Sequence, residues 1–109
     1  MPAAGPVGWA KPMDAPFHVV FLQVEYTSIE DVPSEPLAEH VARSRRWHDE
    51  GRLVMAGAFL DHPGESIRTM AVVRTRQDAE EFAAGDPFVI AGTARVTAIR
   101  PWGDLLGLA

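Results

Sequence analysis

The amino-acid sequence predicts an α+β fold of the ferredoxin-like type, in the order strand, helix, strand, strand, helix, strand. Runs rich in β-branched and aromatic residues alternate with segments of helical periodicity, and clusters of turn residues separate them. Of the 109 residues, 47% are hydrophobic, which is typical of one globular domain with a core of its own. We therefore expect a four-stranded antiparallel sheet that carries both helices on one face.

The sequence divides into three parts. Residues 1–16 are rich in proline and predict an extended N-terminal arm, residues 17–102 form the α+β domain, and residues 103–109 form a C-terminal tail. The arm lacks the continuous apolar segment of a signal peptide or a membrane span. We therefore expect a cytoplasmic protein without a membrane partner.

The first strand is predicted over residues 17–26, which are dense in β-branched and aromatic side chains. Alternate residues of a strand point to opposite faces of a sheet, and here both sets are apolar. One set is Phe17, Val19 and Phe21, and the other is Val20, Leu22, Val24 and Tyr26. Residues 53–60 repeat this pattern. A second apolar face of this extent predicts a homodimer in which two sheets pack face to face.

The first helix follows a turn rich in proline and acidic residues. Ser34 or Glu35 is expected to cap its N-terminus, with Pro36 in the first turn. The helix is predicted to run to about Glu50. Gly51 then ends it in a left-handed conformation, which residues with a Cβ adopt only at a cost.

The middle of the chain predicts a hairpin. Residues 53–60 and 66–74 form two apolar strands, and residues 61–64, Asp-His-Pro-Gly, supply the turn between them. A last strand is predicted from residue 93 to residue 100, where Pro101 closes it.

The second helix is predicted to begin at Thr75, because Thr75 and Asp78 form a variant of the capping box. Gly85 is expected to end this helix. Its predicted buried face consists of Ala79, Phe82 and Ala83.

Composition excludes several classes of function. The chain has 10 Lys and Arg against 15 Asp and Glu, a net charge of −5, which argues against a nucleic-acid partner. The absence of Cys removes disulfides, thiolate metal sites and Cys nucleophiles. His40 and His48 are eight residues apart, or ~12 Å along a helix, too far to share one ion. We therefore expect neither a metal nor a cofactor.

His40 is one of two residues that could carry chemistry. The predicted buried stripe of the first helix is centred on Leu37, Val41, Ser44 and His48. His40 then falls at the edge of the stripe, together with Trp47, where one ring nitrogen would contact the protein and the other a cleft. Alternatively, His40 is a helix-surface residue whose ring covers the sheet edge.

Asp86 is the other. Its position before Pro87 predicts the N-cap of a short helical turn that ends at Gly92, and capping alone would account for it. The predicted topology, however, lays the helices side by side, so a pair of His40 with Asp86 is sterically feasible. A carboxylate that accepts a hydrogen bond from one imidazole nitrogen fixes the tautomer and makes the other nitrogen a better general base.

Four segments together resemble the YCII-related family in their order and spacing. They are residues 40–43 (HVAR), 47–57 (WHDEGRLVMAG), 83–92 (AAGDPFVIAG) and 99–102 (IRPW). The resemblance covers residues 17–102 and implies a dimeric α+β barrel. It also implies an active-site pair of a His on the first helix and an Asp in an Asp-Pro-Phe segment, which are His40 and Asp86 here. The chain departs from the family pattern in its proline-rich arm and at Ser44, where a larger apolar residue is usual.

The resemblance implies chemistry of proton transfer and elimination, because some relatives act on aromatic or lactone-like molecules, including the dechlorination of chlorinated hydroquinones. One hypothesis is a cofactor-independent lyase or isomerase in which His40, oriented by Asp86, moves a proton on a small organic or aromatic substrate. The alternative is a non-catalytic module that binds a small ligand or mediates dimerisation.

Four further residues complete the predicted site. Tyr26, Phe59 and Phe88 would be the walls of a cleft between the sheet and the helices. Arg43, three residues after His40, would hold an anionic substrate, or it is a solvated surface residue.

Overall fold

The computed structural model describes residues 16–105, so nearly all of the predicted N-terminal arm and residues 106–109 of the predicted tail lie outside the described residues. The described elements are β1 (Phe17–Val24), α1 (Ser34–Asp49), β2 (Leu53–Ala58), β3 (Ile67–Val73), α2 (Arg76–Ala84), α3 (Pro87–Ile90) and β4 (Ala94–Trp102). A single 3-10 turn, Ile29–Asp31, lies between β1 and α1. Within residues 16–105, every helix is too short or too polar to cross a membrane.

The sheet has the strand order β2-β3-β1-β4, and all neighbouring strands are antiparallel. This order confirms the predicted ferredoxin-like fold. The predicted hairpin is also confirmed, although β2 ends at Ala58 and not at residue 60. β1 is a central strand, and it pairs with β3 from His18 opposite Val73 to Val24 opposite Ile67.

The last strand is longer than expected. β4 continues through Pro101 to Trp102, so the expectation that Pro101 closes it is wrong. Because β4 lies at the edge of the sheet, a residue without an N–H does not interrupt a central ladder there. The ring of Trp102 lies 6.2 Å from that of Phe17 on the paired end of β1.

The start of α1 differs from the prediction at its cap. The helix begins at Ser34, and its N-cap residue is Pro33, which provides no side-chain hydrogen bond. The expectation that Ser34 or Glu35 caps the helix is therefore wrong, since both lie inside the first turn. Pro36 lies in that turn, as predicted.

The end of α1 follows the sequence. Gly51 has a φ of +78°, the left-handed conformation that was predicted. Its N–H donates to the carbonyl oxygen of His48 at 2.9 Å, and the N–H of Arg52 donates to that of Trp47 at 2.9 Å. These two bonds form a Schellman motif and turn the chain directly into β2.

The buried stripe of α1 is rotated relative to the prediction. Trp47 is buried and His40 half-buried, whereas Val41 and His48 are exposed. The indole of Trp47 packs edge-on against the ring of Phe82, with their centroids 5.1 Å apart. Burying an aromatic ring removes more apolar surface from water than burying a valine, and this sets the rotation. As a result, the ring of His40 is directed into the protein.

The core lies between the sheet and the helices in two clusters. The first joins the middle of the sheet to α1 and α2 and contains Val20, Leu22, Trp47, Leu53, Ala71, Val73, Ala79, Phe82 and Ala83. It confirms the predicted buried face of α2. The N-cap of α2 is also confirmed, since the Thr75 hydroxyl accepts a hydrogen bond from the Asp78 N–H at 2.9 Å. The second cluster packs beneath α3 and contains Val24, Val32, Phe88 and Ala94.

Replacement of Gly51 tests the Schellman motif. We expect Gly51→Ala to lower the free energy of unfolding by ~1–2 kcal/mol, because alanine is strained in the left-handed region. Urea denaturation measures the change. Gly57→Ala is the matched control, since a Cβ at Gly57 meets no atom within 4 Å and its φ is not positive. An equal loss of stability in both variants would contradict the assignment.

Candidate active site

The structure brings His40 and Asp86 into direct contact. His40 lies on the buried stripe of α1, and Asp86 stands between α2 and α3. Since α1 packs against α3, the two side chains meet across the helix interface, with His40 Nδ1 2.6 Å from Asp86 Oδ1. Residues 46 positions apart in the sequence therefore form one hydrogen-bonded pair.

Asp86 uses its two carboxylate oxygens for different partners. Its side chain has no exposed surface. Oδ1 accepts from His40, while Oδ2 accepts from the backbone N–H groups of Phe88 at 3.0 Å and Val89 at 3.3 Å. The predicted cap of the short helical turn is thus present, and it coexists with the contact to His40. These hydrogen bonds compensate for the removal of a carboxylate from water.

The contact with Asp86 assigns the tautomer of His40. An ionised carboxylate only accepts hydrogen bonds, so Nδ1 carries the proton and Nε2 of the neutral ring keeps its lone pair. The side chain of His40 is 26% exposed. Among the described residues, Nε2 has no hydrogen-bond partner. Nε2 is therefore the ring nitrogen that can accept a proton.

Two of the three predicted wall residues lie at this end of the molecule. The ring of Phe88 is 5.3 Å from that of His40 and tilted by 42°. Tyr26 packs against the core cluster to which Phe88 belongs. Phe59 lies elsewhere. It lines a cavity of about 630 Å³ between the β2–β3 turn and the loop after β1, and this lining includes neither His40 nor Asp86.

Arg43 is bound to protein groups. It donates from Nη1 to the carbonyl oxygen of Phe82 at 2.9 Å and from Nη2 to that of Glu81 at 3.0 Å. Its guanidinium carbon also lies 5.0 Å from the ring centroids of Trp47 and Phe82. Partial burial lowers the pKa of Arg43, and the negative charge of Asp86 opposes this shift. An anionic substrate at Arg43 stays a prediction.

A surface groove of about 570 Å³ runs beside the pair, between α1 and α3. Its wall includes Glu39 and Arg43, which flank His40 on α1, and Gly85 and Pro87, which flank Asp86. The sequence placed a cleft between the sheet and the helices, whereas this groove lies between two helices.

Gly85 has a role that the sequence did not reveal. A Cβ added to Gly85 would lie 2.5 Å from Nη2 of Arg43 and 3.0 Å from its guanidinium carbon. The φ of Gly85 is −93°, which any residue adopts, so a side chain at this position would act by displacing the guanidinium of Arg43. The only local signal is a glycine directly before the Asp-Pro segment.

Comparisons with known proteins agree with the sequence resemblance. Residues 17–103 match the YCII-related domain. Protein YciI of Escherichia coli O6:H1 (strain CFT073) is 31% identical over 93 residues, covering 78% of this chain and 94% of that protein. Protein YciI of Shigella flexneri matches with the same values.

A solved structure is also similar. It is the 5-chloro-2-hydroxyhydroquinone dehydrochlorinase TftG from Burkholderia phenoliruptrix AC1100, in complex with 2,5-dihydroxybenzoquinone. The TM-score is 0.54 with 15% sequence identity, and the match covers 78% of this chain and 92% of that chain. At this identity the likeness establishes a common fold.

Replacement of Asp86 tests how the pair is held. We expect Asp86→Ala to lower the free energy of unfolding by ~2–4 kcal/mol, because a helix cap and the acceptor of a half-buried imidazole are lost together. Asp86→Asn, which keeps one oxygen acceptor, should cost less. Chemical denaturation measures both. Asp61→Ala is the control, since its exposed carboxylate should contribute less than ~0.5 kcal/mol. A similar result for Asp86→Ala and Asp61→Ala would contradict the described geometry.

Proposed function

Since the chain belongs to the YCII-related family, we propose that it is a cofactor-independent lyase or isomerase that moves a proton on a small organic or aromatic substrate. The observation that carries the proposal is the 2.6 Å contact between a partly exposed imidazole and a fully buried carboxylate. His40 is the general base, and Asp86 orients it.

The proposed reaction uses Nε2 of His40. This nitrogen takes a proton from a carbon or a phenolic hydroxyl of the substrate, and Asp86 stabilises the imidazolium across Nδ1. In an elimination, the electron pair of the broken bond forms a π bond and the leaving group departs with its own pair. In an isomerisation, His40 returns the proton to a different atom. Both reactions balance without an oxidant or a reductant.

Chlorinated hydroxyhydroquinones are the first substrates to test. The name of TftG describes the removal of HCl from such a compound, and its structure holds a quinone. In this chain, the buried ring of Phe88 packs 5.3 Å from that of His40 and makes the surroundings of the base apolar, which suits an aromatic substrate. These facts support an aromatic substrate class.

His40→Asn tests the base directly. Asparagine retains an N–H that can donate to Asp86 but has no basic nitrogen, so we expect turnover to fall at least ~100-fold. Chloride release from 5-chloro-2-hydroxyhydroquinone measures the rate. His62→Ala, in an exposed turn, is the matched control. Undiminished turnover in His40→Asn would refute the role, and binding without turnover across a panel of phenols and small acids would favour the ligand-binding module.

We further propose that the enzyme is a homodimer formed through the sheet face without helices. On β1, the residues Phe17, Val19 and Phe21 alternate with residues that belong to the core beneath the helices. The pairing extends this face to neighbouring strands, with Phe21 opposite Met70. At its two edges, Met55 is 58% exposed and Trp102 50% exposed. This face is largely apolar, with Arg100 opposite Val19 as a charged member, and its apolar residues support association with a second copy.

The molecular mass in solution tests the dimer. We expect light scattering to give twice the chain mass of 11.9 kDa at micromolar concentration. Met55→Lys would place a charge on the apolar face and should shift the protein toward the monomer. Leu60→Lys, at an exposed position in the hairpin turn, should leave the dimer intact. A stable monomer of the unchanged protein would rule out this arrangement.

A further inference from the structure

We propose that Arg43 is a positioning residue that holds His40 and Asp86 in register, an inference that rests on the function proposed above. Arg43 lies three residues after His40, so both side chains project from the same side of α1. His40 contacts Asp86, and Arg43 contacts the end of α2, the segment that leads into Asp86. The same helix is thus tied at two points to the junction between α2 and α3.

The two hydrogen bonds of Arg43 reach the last turn of α2. This helix ends at Ala84, and the carbonyl oxygens of Glu81 and Phe82 accept from Nη2 and Nη1. Carbonyls at a helix C-terminus carry partial negative charge, so a guanidinium is favourable there. A planar guanidinium with two neighbouring donors fixes direction as well as distance. The bonds therefore fix the end of α2 at residues that lie four and five positions before Asp86.

The surroundings of the guanidinium restrict its movement. The rings of Trp47 and Phe82 each lie 5.0 Å from its central carbon. Gly85 lies against it so closely that a Cβ would overlap Nη2. Because Gly85 directly precedes Asp86, the arginine also packs against the backbone that positions the carboxylate. A side chain confined in this way holds its neighbours in place. Nη1 and Nη2 each already donate a hydrogen bond to a carbonyl oxygen of α2.

The charge of Arg43 acts on the same carboxylate. Asp86 and Arg43 attract each other electrostatically without a direct hydrogen bond. Loss of the guanidinium would leave the buried carboxylate with one fewer positive neighbour and a less constrained backbone. We therefore expect the His40 ring to donate from Nδ1 in only a fraction of the molecules.

The experiment compares Arg43→Met with Arg45→Met. Methionine keeps an apolar chain against Trp47 and Phe82 but has no donors, and Arg45 is exposed on the same helix. The first measurement needs no turnover: imidazole ¹⁵N shifts of His40, assigned by their loss in His40→Asn, report which nitrogen carries the proton. We expect the Nδ1–H form in the unchanged protein and in Arg45→Met, and a mixture of tautomers in Arg43→Met.

The second measurement is the kinetic split with 5-chloro-2-hydroxyhydroquinone. A positioning role predicts a kcat reduced by ~10- to 100-fold in Arg43→Met with little change in KM, because the base is misplaced while binding persists. A raised KM with unchanged kcat would assign Arg43 to substrate binding and overturn the proposal. An unchanged tautomer in folded Arg43→Met would overturn it as well.

A second variant covers the case in which Arg43→Met does not fold. Gly85→Ala keeps the arginine but displaces its guanidinium, and it should produce the same mixture of tautomers. Retention of the Nδ1–H form in Gly85→Ala would overturn the proposal. Should the unchanged protein turn over no substrate while the tautomer still depends on Arg43, the proposed function fails and the positioning role is supported.

Discussion

A buried carboxylate needs partners for both of its oxygens, and Asp86 finds them on two helices. One oxygen accepts the N–H groups at the start of α3, and the other accepts the imidazole of α1. Neither helix can shift without leaving a charged oxygen unpaired in the interior, which is costly. The positions of α1 and α3, the orientation of His40 and the packing of Phe88 all follow from this requirement.

The packing of Trp47 against Phe82 allows His40 and Asp86 to meet. Trp47 occupies the buried stripe of α1 two turns after His40 and packs against Phe82 of α2. This packing sets the rotation of α1 about its axis, and the rotation brings His40 to face Asp86. The apolar contact between Trp47 and Phe82 thus determines which face of α1 is directed inward. The polar contact between His40 and Asp86 determines how closely that face approaches the start of α3. The proposed function and the stability of the fold therefore depend on the same few residues.

The sequence predicted the elements whose signals are local. Thr75 with Asp78 marks a helix start, and Gly51 marks a helix end. The His40–Asp86 contact was also predicted, because the topology and the family resemblance place both residues at one helix interface. The partners of Arg43 were not, since they are carbonyl oxygens that any residue could supply and that only tertiary packing brings within reach.

Other differences have the same origin. Whether Pro101 ends a strand depends on whether that strand is central or at an edge, and a single sequence does not show this. The rotation of α1 depends on which of several apolar side chains buries the most surface against α2.

The edge strand β4 affects whether a strand of another copy can pair with the sheet at this edge. It carries Arg95 and Arg100, contains Pro101, and has a β-bulge where the pairing with β1 shifts register. Charge, proline and bulges are the features by which natural sheets prevent another strand from adding to an open edge. Growth of the sheet into a fibril is therefore disfavoured at this edge, even though the helix-free face beside it is largely apolar.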